Sequence, residues 1–399
     1  MSGTDGRLQV LVDQLTDRGE LAPDWRSSFL AVPRHRFIPD TIWLSDGRSL
    51  RPLHRGEDPQ GWLDRAYDRD FVVIQVDDGN PDGDRGRDIT SSVSHPGVVA
   101  VMLAALDARP GMSVLEIGTG SGYNAALLAT RLGADHVTTI EIDPPLAAHA
   151  RAALTTTGFD QVRVITGDGA LGYPARAPYD RIISTAAVTE VPYAWVAQTR
   201  PGGLVLIPWA NAYYPGGLLS LTVGEDGTAA GGIVADVSFM WLRDQRPPPT
   251  YSASIDTSLG TPSRTRLHAH DVAGIPGAAL AISLKVTDCA LIHRPTSRHA
   301  GMLWFLDPHS ESWATLSYSA DTDTYDVRQA GPRQLWDEIE IAHQWWINVG
   351  KPDLDAWRFT LTSDGQRIEH TITCGCPKPG CPTRAACIRG WLHRVDHVG

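Results

Sequence analysis

Short apolar runs alternate with helical stretches beyond Ser94, and this alternation is typical of a parallel sheet with crossover helices. The predicted helices span residues 97–108, 122–132, 144–157 and 192–199. The predicted strands are 114–118, 136–142, 162–166, 180–185 and 204–208. Two further strands, 218–223 and 232–242, flank a turn at Asp226-Gly227 and indicate a hairpin. The pattern therefore predicts an α/β fold with a doubly wound sheet.

The segment before this alternation has a different character. Leu8, Leu11 and Leu15 have helical spacing and predict a helix over residues 8–16. Residues 40–90 are rich in Asp, Gly and Arg, with one strand-like run at 71–76. Such a composition favours a surface insertion, and surface loops often carry function.

A proline run divides the chain. Pro247, Pro248 and Pro249 favour an extended linker, so we predict a boundary there between domains 1–245 and 250–399. A chain of 399 residues is long enough for two cores. The second, smaller α+β domain has strand-like runs, a helix at 334–349 and an irregular stretch over 374–399. We predict an accessory role in recognising a peptide substrate.

The net charge and the hydropathy of the chain argue against a nucleic-acid-binding protein and against a membrane protein. The formal net charge of −11 disfavours binding to nucleic-acid phosphates, so no nucleic-acid partner is expected. No apolar run has the length of a bilayer crossing, and the N-terminus lacks a secretion signal. We expect a cytoplasmic protein that does not associate with membranes.

The sharpest motif joins the strand 114–118 to the helix 122–132. Gly118, Gly120 and Gly122 allow a tight turn and close approach of a ligand, with GxGxG spacing that departs from the dinucleotide fingerprint GxGxxG. Glu141 ends the next strand, where a carboxylate can accept hydrogen bonds from ribose hydroxyls. Asp168 follows the third strand, where it can accept from an adenine amino group. Each feature alone can be structural, but the three in register predict a nucleoside site.

These residues resemble the protein-L-isoaspartate O-methyltransferase family. The match covers roughly residues 30–210: VLEIGTGSGYNAALLA resembles its glycine-rich motif, VITGDG its adenine-side motif, and Val32-Pro33-Arg34-His35 its N-terminal signature. Ser92-Val93-Ser94-His95-Pro96 is similar to its Thr-Ile-Ser-x-Pro element. The resemblance implies a class I Rossmann-like methyltransferase that uses S-adenosylmethionine. The predicted cofactor-binding residues are Glu116, Gly118, Thr119, Gly120, Ser121, Gly122, Glu141, Ile142, Asp168 and Gly169.

The resemblance also implies that Ser94 occupies the position of the active-site hydroxyl and that Ser92 replaces a threonine. A side-chain carboxylate is already an anion at neutral pH, so both serines are expected to position the acceptor and not to attack it. The alternative is that both only cap the helix 97–108. His95 is expected to be structural, and Arg85 and Arg87 to lie in a solvated loop.

Two departures from the family bear on the acceptor. The approach to Ser92, residues 75–88, is longer and more acidic than in the repair enzymes, and the minimal family form lacks residues 250–399. Extended relatives resemble actinobacterial methyltransferases of lanthipeptide and ATP-grasp peptide systems. The sequence-based hypothesis is methylation of an aspartate in a ribosomal precursor peptide, giving a succinimide and then isoaspartate. The alternatives are L-isoaspartyl protein repair and small-molecule methylation.

Four cysteines crowd into the C-terminal tail. Cys374, Cys376, Cys381 and Cys387 supply the number of thiolates that a closed structural zinc site requires. Their spacing lacks the usual CxxC pairs, and free thiols on an irregular tail are the alternative. No metal is expected in catalysis, so zinc bound by these cysteines would have a structural role only.

Overall fold

The N-terminal segment is helical, as predicted. In a computed structural model, which describes residues 3–47, 49–248, 255–297 and 299–370, α1 (Gly3–Asp17) and α2 (Arg26–Ala31) pack against each other. Leu8, Leu11 and Leu15 of α1 are all buried. The predicted helix at 8–16 is therefore confirmed, and it begins five residues earlier because the polar residues before Leu8 continue the same turns.

The Asp-rich segment 40–90 folds into a small antiparallel sheet. Its strands are β1 (Thr41–Ser45), β2 (Leu50–His54), β3 (Val72–Val76) and β4 (Ile89–Val93), in the order β2-β1-β3-β4. Helix α3 (Pro59–Ala66) connects β2 to β3. The strand predicted at 71–76 is confirmed, whereas the other elements were not predicted. These elements are short and show no regular apolar periodicity, so the sequence pattern does not reveal them.

The central sheet has the predicted parallel strands. They are β5 (Val114–Ile117), β6 (Val137–Glu141), β7 (Arg163–Thr166), β8 (Tyr179–Ser184) and β9 (Thr199–Trp209). The accompanying helices are α4 (Pro96–Ala105), α5 (Tyr123–Leu132), α6 (Pro144–Thr156) and α7 (Tyr193–Ala197). Strand β5 pairs in parallel with β6 on one side and β8 on the other. The chain reverses its direction of winding there, which leaves a crevice at the carboxyl ends of these strands.

Several predicted ends are wrong by a few residues. Helix α4 ends at Ala105 and not at 108, and α7 covers only Tyr193–Ala197 of the predicted 192–199. The predicted hairpin forms from β10 (Gly217–Val223) and β11 (Ala229–Asp236), so the second strand stops six residues before Leu242. Residues 237–246, here called the crossing segment, leave the sheet. Ala187 holds this segment through backbone hydrogen bonds to Met240 and Leu242, which replace the continued strand pairing.

The C-terminal part contains a second antiparallel sheet. Its strands are β12 (Thr261–Thr265), β13 (Ala290–Ser297), β14 (Ala300–Leu306), β15 (Trp313–Ser319) and β16 (Tyr325–Ala330), in the order β12-β16-β15-β14-β13. Helices α8 (Pro276–Lys285) and α9 (Leu335–Asn348) pack together. Helix α9 confirms the helix predicted at 334–349, where Leu335, Ile339 and Trp346 are buried.

The last described strands return to the central sheet. Strand β17 (Trp357–Thr362) pairs with β11, and β18 (Gly365–His370) pairs with β17. In the described part of the chain the central sheet thus has the order β18-β17-β11-β10-β9-β8-β5-β6-β7. Phe359 of β17 packs edge-on against Trp209 of β9, with ring centroids 5.2 Å apart. The predicted boundary near residue 245 remains a prediction, and the central sheet draws strands from both sides of it.

Two further predictions concern the C-terminal tail and membrane association. The four tail cysteines and the irregular stretch 374–399 lie outside the described residues. Among the described helices, none combines the length and the apolar content that crossing a bilayer requires.

Candidate active site

The glycine turn after β5 forms one wall of the crevice. Gly118 has φ +90°, and a Cβ there would lie 2.6 Å from Thr185 Oγ1. The amides of Gly118 and Thr119 donate to the carbonyl of Ile140, which ties the turn to β6. Only glycine adopts this conformation at low cost, and because it has no side chain it leaves room at the turn for a ligand.

Glu141 joins the same wall from the end of β6. Its Oε2 accepts from the amide of Gly120 at 2.8 Å, and its Oε1 accepts from the amide of Asp143 at 3.1 Å. The side chain is 8% exposed, and this burial raises the pKa of Glu141 above its usual value. Each oxygen keeps acceptor capacity beyond these bonds, so the carboxylate suits a pair of ribose hydroxyls.

Glu116 lies beneath the turn and does not face the crevice. Its carboxylate is fully buried, and it accepts from Asn124 Nδ2 at 2.7 Å and from Thr139 Oγ1 at 2.6 Å. Burial raises the pKa of Glu116 to about 7. Thr139 also bonds the hydroxyl of Thr119, so Glu116 supports the glycine turn from below.

The crevice is an open cavity of about 380 Å³, within the usual range for a small-molecule site. It lies between the glycine turn, strand β4 and the crossing segment. The predicted residues that line it are Ser92, Ser94, Gly118, Thr119, Gly120, Ser121, Glu141, Ile142 and Gly169. The predicted residues that do not line it are Glu116, Gly122 and Asp168. Gly122 packs under α6 against Ala150, and Asp168 caps the next turn through the amide of Ala170.

Comparisons with known proteins show which family has a similar sequence. A family model for protein-L-isoaspartate(D-aspartate) O-methyltransferase matches residues 63–246. The protein-L-isoaspartate O-methyltransferase of Methanopyrus kandleri is 39% identical over 201 residues, covering 50% of this chain and 74% of the relative. The chain belongs to the protein-L-isoaspartate O-methyltransferase family. It is a methyltransferase, and its cofactor is S-adenosylmethionine, as the sequence predicted.

Two further matches show how far the likeness extends. The Pyrococcus horikoshii protein-L-isoaspartate O-methyltransferase is 44% identical over 137 residues, covering 34% of this chain and 62% of the relative. A solved structure of a protein-L-isoaspartate O-methyltransferase shares the fold with a TM-score of 0.52 at 19% identity. That match covers 92% of this chain and 100% of the other. The fold likeness therefore includes the C-terminal region, which the sequence alone had suggested is a departure from the family.

Ser92 of β4 and Ser94, the residue that follows this strand, form the wall beside the glycine turn of this methyltransferase. Ser92 and Ser94 line the cavity, and their hydroxyls have no hydrogen-bond partner among the described residues. The alternative that they cap α4 is wrong, because His95 Nδ1 accepts from the amide of Gly97 at 3.0 Å. Burial lowers the pKa of His95, which favours the neutral, accepting ring. His95 thus has the structural role expected of it.

The crossing segment forms the third side of the cavity. The sequence pattern did not predict this. Arg246 forms a bidentate ion pair with Asp78 at 2.7 and 2.9 Å, and Arg243 contacts Asp143 at 3.2 Å. Asp143 caps α6 two residues after Glu141. These ion pairs fasten the crossing segment to the small sheet and to the cofactor wall.

Several other lining residues were missed by sequence reasoning. Ser91 precedes the predicted serines, and Phe71 and Ile89 lie at the mouth of the cavity with exposed fractions of 44% and 37%. The sequence placed Phe71 at the start of the predicted strand 71–76, but the exposure of Phe71 and Ile89 at the cavity is visible only in the structure. Arg85 and Arg87 do not line the cavity and are exposed, as expected.

Proposed function

We propose that this enzyme methylates the side-chain carboxylate of an aspartate in a ribosomal precursor peptide in the cytoplasm. The resulting ester closes to a succinimide, which opens to aspartate or isoaspartate. The observation that carries this proposal is the pair of hydroxyls of Ser92 and Ser94, which line the cavity beside the glycine turn and have no hydrogen-bond partner among the described residues.

The chemistry of a carboxylate acceptor suits the residues present. The bound cofactor supplies a methyl group on a sulfonium sulfur. Among the described lining residues, Glu141 and His95 are the candidates for a general base, and both already accept hydrogen bonds from backbone amides. An aspartate side chain ordinarily has a pKa of about 4, so it is ionised at neutral pH and needs no base. Ser92 and Ser94 then contribute by orientation, and alignment of the reacting atoms is potentially worth about 7 kcal/mol.

The mouth of the cavity supports a peptide acceptor over a small molecule. Phe71 and Ile89 are exposed apolar side chains at the two ends of the β3–β4 ladder, and Phe239 and Trp241 of the crossing segment line the cavity nearby. Such a rim extends the binding surface beyond the reacting carboxylate. A substrate with side chains on both sides of the aspartate can bury this surface.

L-Isoaspartyl protein repair is the second candidate function. The solved structure that matches 92% of this chain is of a protein-L-isoaspartate O-methyltransferase, so the C-terminal region by itself does not separate the two acceptors. The acidic approach to β4 favours the precursor peptide. Residues 75–88 carry five aspartates, Asp77, Asp78, Asp82, Asp84 and Asp88, and two cations, Arg85 and Arg87.

The two functions separate in one experiment. The full-length enzyme receives labelled S-adenosylmethionine and either an isoaspartyl peptide or a ribosomal precursor peptide that carries a normal aspartate. We expect label in the precursor, followed by loss of methanol and formation of a succinimide in the mass spectrum. Label in the isoaspartyl peptide alone would establish repair instead. Ser94→Ala should slow transfer to the true acceptor while cofactor affinity stays near that of the parent enzyme.

A further inference from the structure

The loop after β8 connects the cavity to the crossing segment. This loop, residues 185–191 and here called the β8 loop, begins with residues that line the cavity. Its Ala187 accepts a hydrogen bond from the amide of Leu242 at 2.8 Å and donates one to the carbonyl of Met240 at 2.7 Å. Met240 and Leu242 also line the cavity. The position of the crossing segment therefore depends on the position of the β8 loop.

Two glutamine side chains hold the far end of the β8 loop. Gln245 of the crossing segment accepts through Oε1 from the amides of Thr189 at 2.9 Å and Glu190 at 3.0 Å. Its Nε2 donates to the carbonyl of Glu190 at 2.8 Å. Gln366 of β18 donates from Nε2 to the carbonyl of Thr189 at 3.1 Å and accepts through Oε1 from the amide of Val191 at 3.3 Å. The two side chains thus bond backbone groups of the same three residues from two sides.

Gln366 belongs to the C-terminal region and does not line the cavity itself. Among the described residues, none beyond Arg246 lines it. Strand β18 reaches the β8 loop because β17 adds both C-terminal strands to the central sheet beside β11. A glutamine amide presents donor and acceptor groups in one plane, as a peptide unit does, so it can bond a loop that has left the sheet. Gln366 thus attaches the C-terminal region to the cavity wall.

We propose that Gln366 is a positioning residue that holds the β8 loop, and with it the crossing segment, against the cofactor site. Leu242 of the crossing segment is the link to that site, because its Cδ1 lies 3.8 Å from the point that a Cβ on Gly169 would occupy. Gly169 is a predicted cofactor-binding residue and lines the cavity. The C-terminal region thereby supports cofactor binding through a side chain outside the cavity. This role is independent of the acceptor that the enzyme methylates.

The test combines two measurements on the full-length enzyme: deuterium exchange without ligand, and calorimetric binding of S-adenosylhomocysteine. In Gln366→Ala we expect the amides of residues 187–191 and 240–242 to exchange about three to ten times faster. Affinity for S-adenosylhomocysteine should fall by about the same factor, because the binding-competent arrangement of the crossing segment is populated for a smaller fraction of the time. Gln366→Asn keeps the amide but shortens its reach by one methylene, so it should show both effects and serves if the alanine variant does not fold.

Gln329→Ala is the matched control within the C-terminal region. Gln329 makes the same kind of bond pair, donating to Asp337 Oδ1 at 2.7 Å and accepting from the amide of Trp336 at 2.9 Å, but it joins β16 to α9. Both variants should lower the melting temperature, whereas only Gln366→Ala should change the exchange near the cavity and the affinity. Unchanged exchange or affinity in Gln366→Ala, or an equal loss of affinity in both variants, would refute the assignment. Such a result would say nothing against the proposed acceptor, which is tested by methyl transfer.

Discussion

Arg34 donates a hydrogen bond from Nη2 to the backbone carbonyl of Ser94 at 3.0 Å. The same guanidinium donates to the carbonyls of Val93, Ala66, Asp68 and Asp70, and it is fully buried. Burial lowers the pKa of Arg34 to about 10, so it remains charged at neutral pH. One buried cation thereby fixes the end of β4 to the loop before β3, and with it the position of Ser94.

Arg34→Lys should damage both stability and catalysis. Lysine keeps the charge but cannot present a planar fork to five carbonyls. We expect a loss of about 2–4 kcal/mol in the free energy of unfolding, measured with denaturant. Displacement of Ser94 should lower kcat roughly tenfold or more. Arg36→Lys is the matched control, because Arg36 lies in the same turn and makes one exposed bond to Thr156. If both variants behave alike, Arg34 does not position Ser94.

Glu116 should give the fold a measurable pH dependence. Its folded pKa of about 7 lies above the unfolded value of 4.5, so the folded state holds more protons between these values. Stability contributed by this group therefore falls as pH rises from about 4.5 to 7, by about 1.4 kcal/mol for each unit of pKa difference. Glu116→Gln should remove this slope from plots of unfolding free energy against pH. An unchanged slope would show that the carboxyl is not perturbed.

Phe71→Ser should weaken the peptide acceptor selectively. Phe71 stands one position beyond the Val72–Val93 pair, next to Ser94, and its exposed ring can cover an apolar residue flanking the aspartate. We expect KM for such a peptide to rise about five- to tenfold with little change in kcat. Val10→Ser removes a side chain of similar exposure (55%) on α1 and should leave KM unaltered. Equal KM values for peptides with and without the flanking residue would exclude this contact.

Asp78→Asn should loosen the crossing segment. The hydrogen bonds from Arg246 hold the pKa of Asp78 below its usual value, so the ion pair is intact at neutral pH and is lost only in acid. We expect amides of residues 237–246 to exchange with deuterium about three to ten times faster in the variant. Asp326→Asn breaks the exposed pair with Arg264 and should not affect this segment. Unaltered exchange would mean that the hydrogen bonds to Ala187 and the Arg243–Asp143 ion pair hold the segment without Asp78.

The order of elements around the glycine turn could be predicted because each depends on local sequence. Buried parallel strands are continuous apolar runs, and Gly118 and Gly122 mark a turn that other residues would strain. Glu141 follows from its place at a strand end. The segment 40–90 could not be predicted in the same way, because β1, β2 and β4 are short, show no regular alternation of apolar and polar residues, and form a sheet only by pairing with one another and with β3.

The sequence by itself thus determined the family, the cofactor turn and the presence of serines before α4. Only the tertiary structure decided the use of each residue: Glu116 supports the turn from below, His95 caps α4, and Arg243 and Arg246 fasten the crossing segment over the cavity. The physical reason is the range of the interactions. Backbone turns and helix periodicity act within a few residues, whereas Arg34 with Ser94 and Asp78 with Arg246 join positions that only the folded chain brings together.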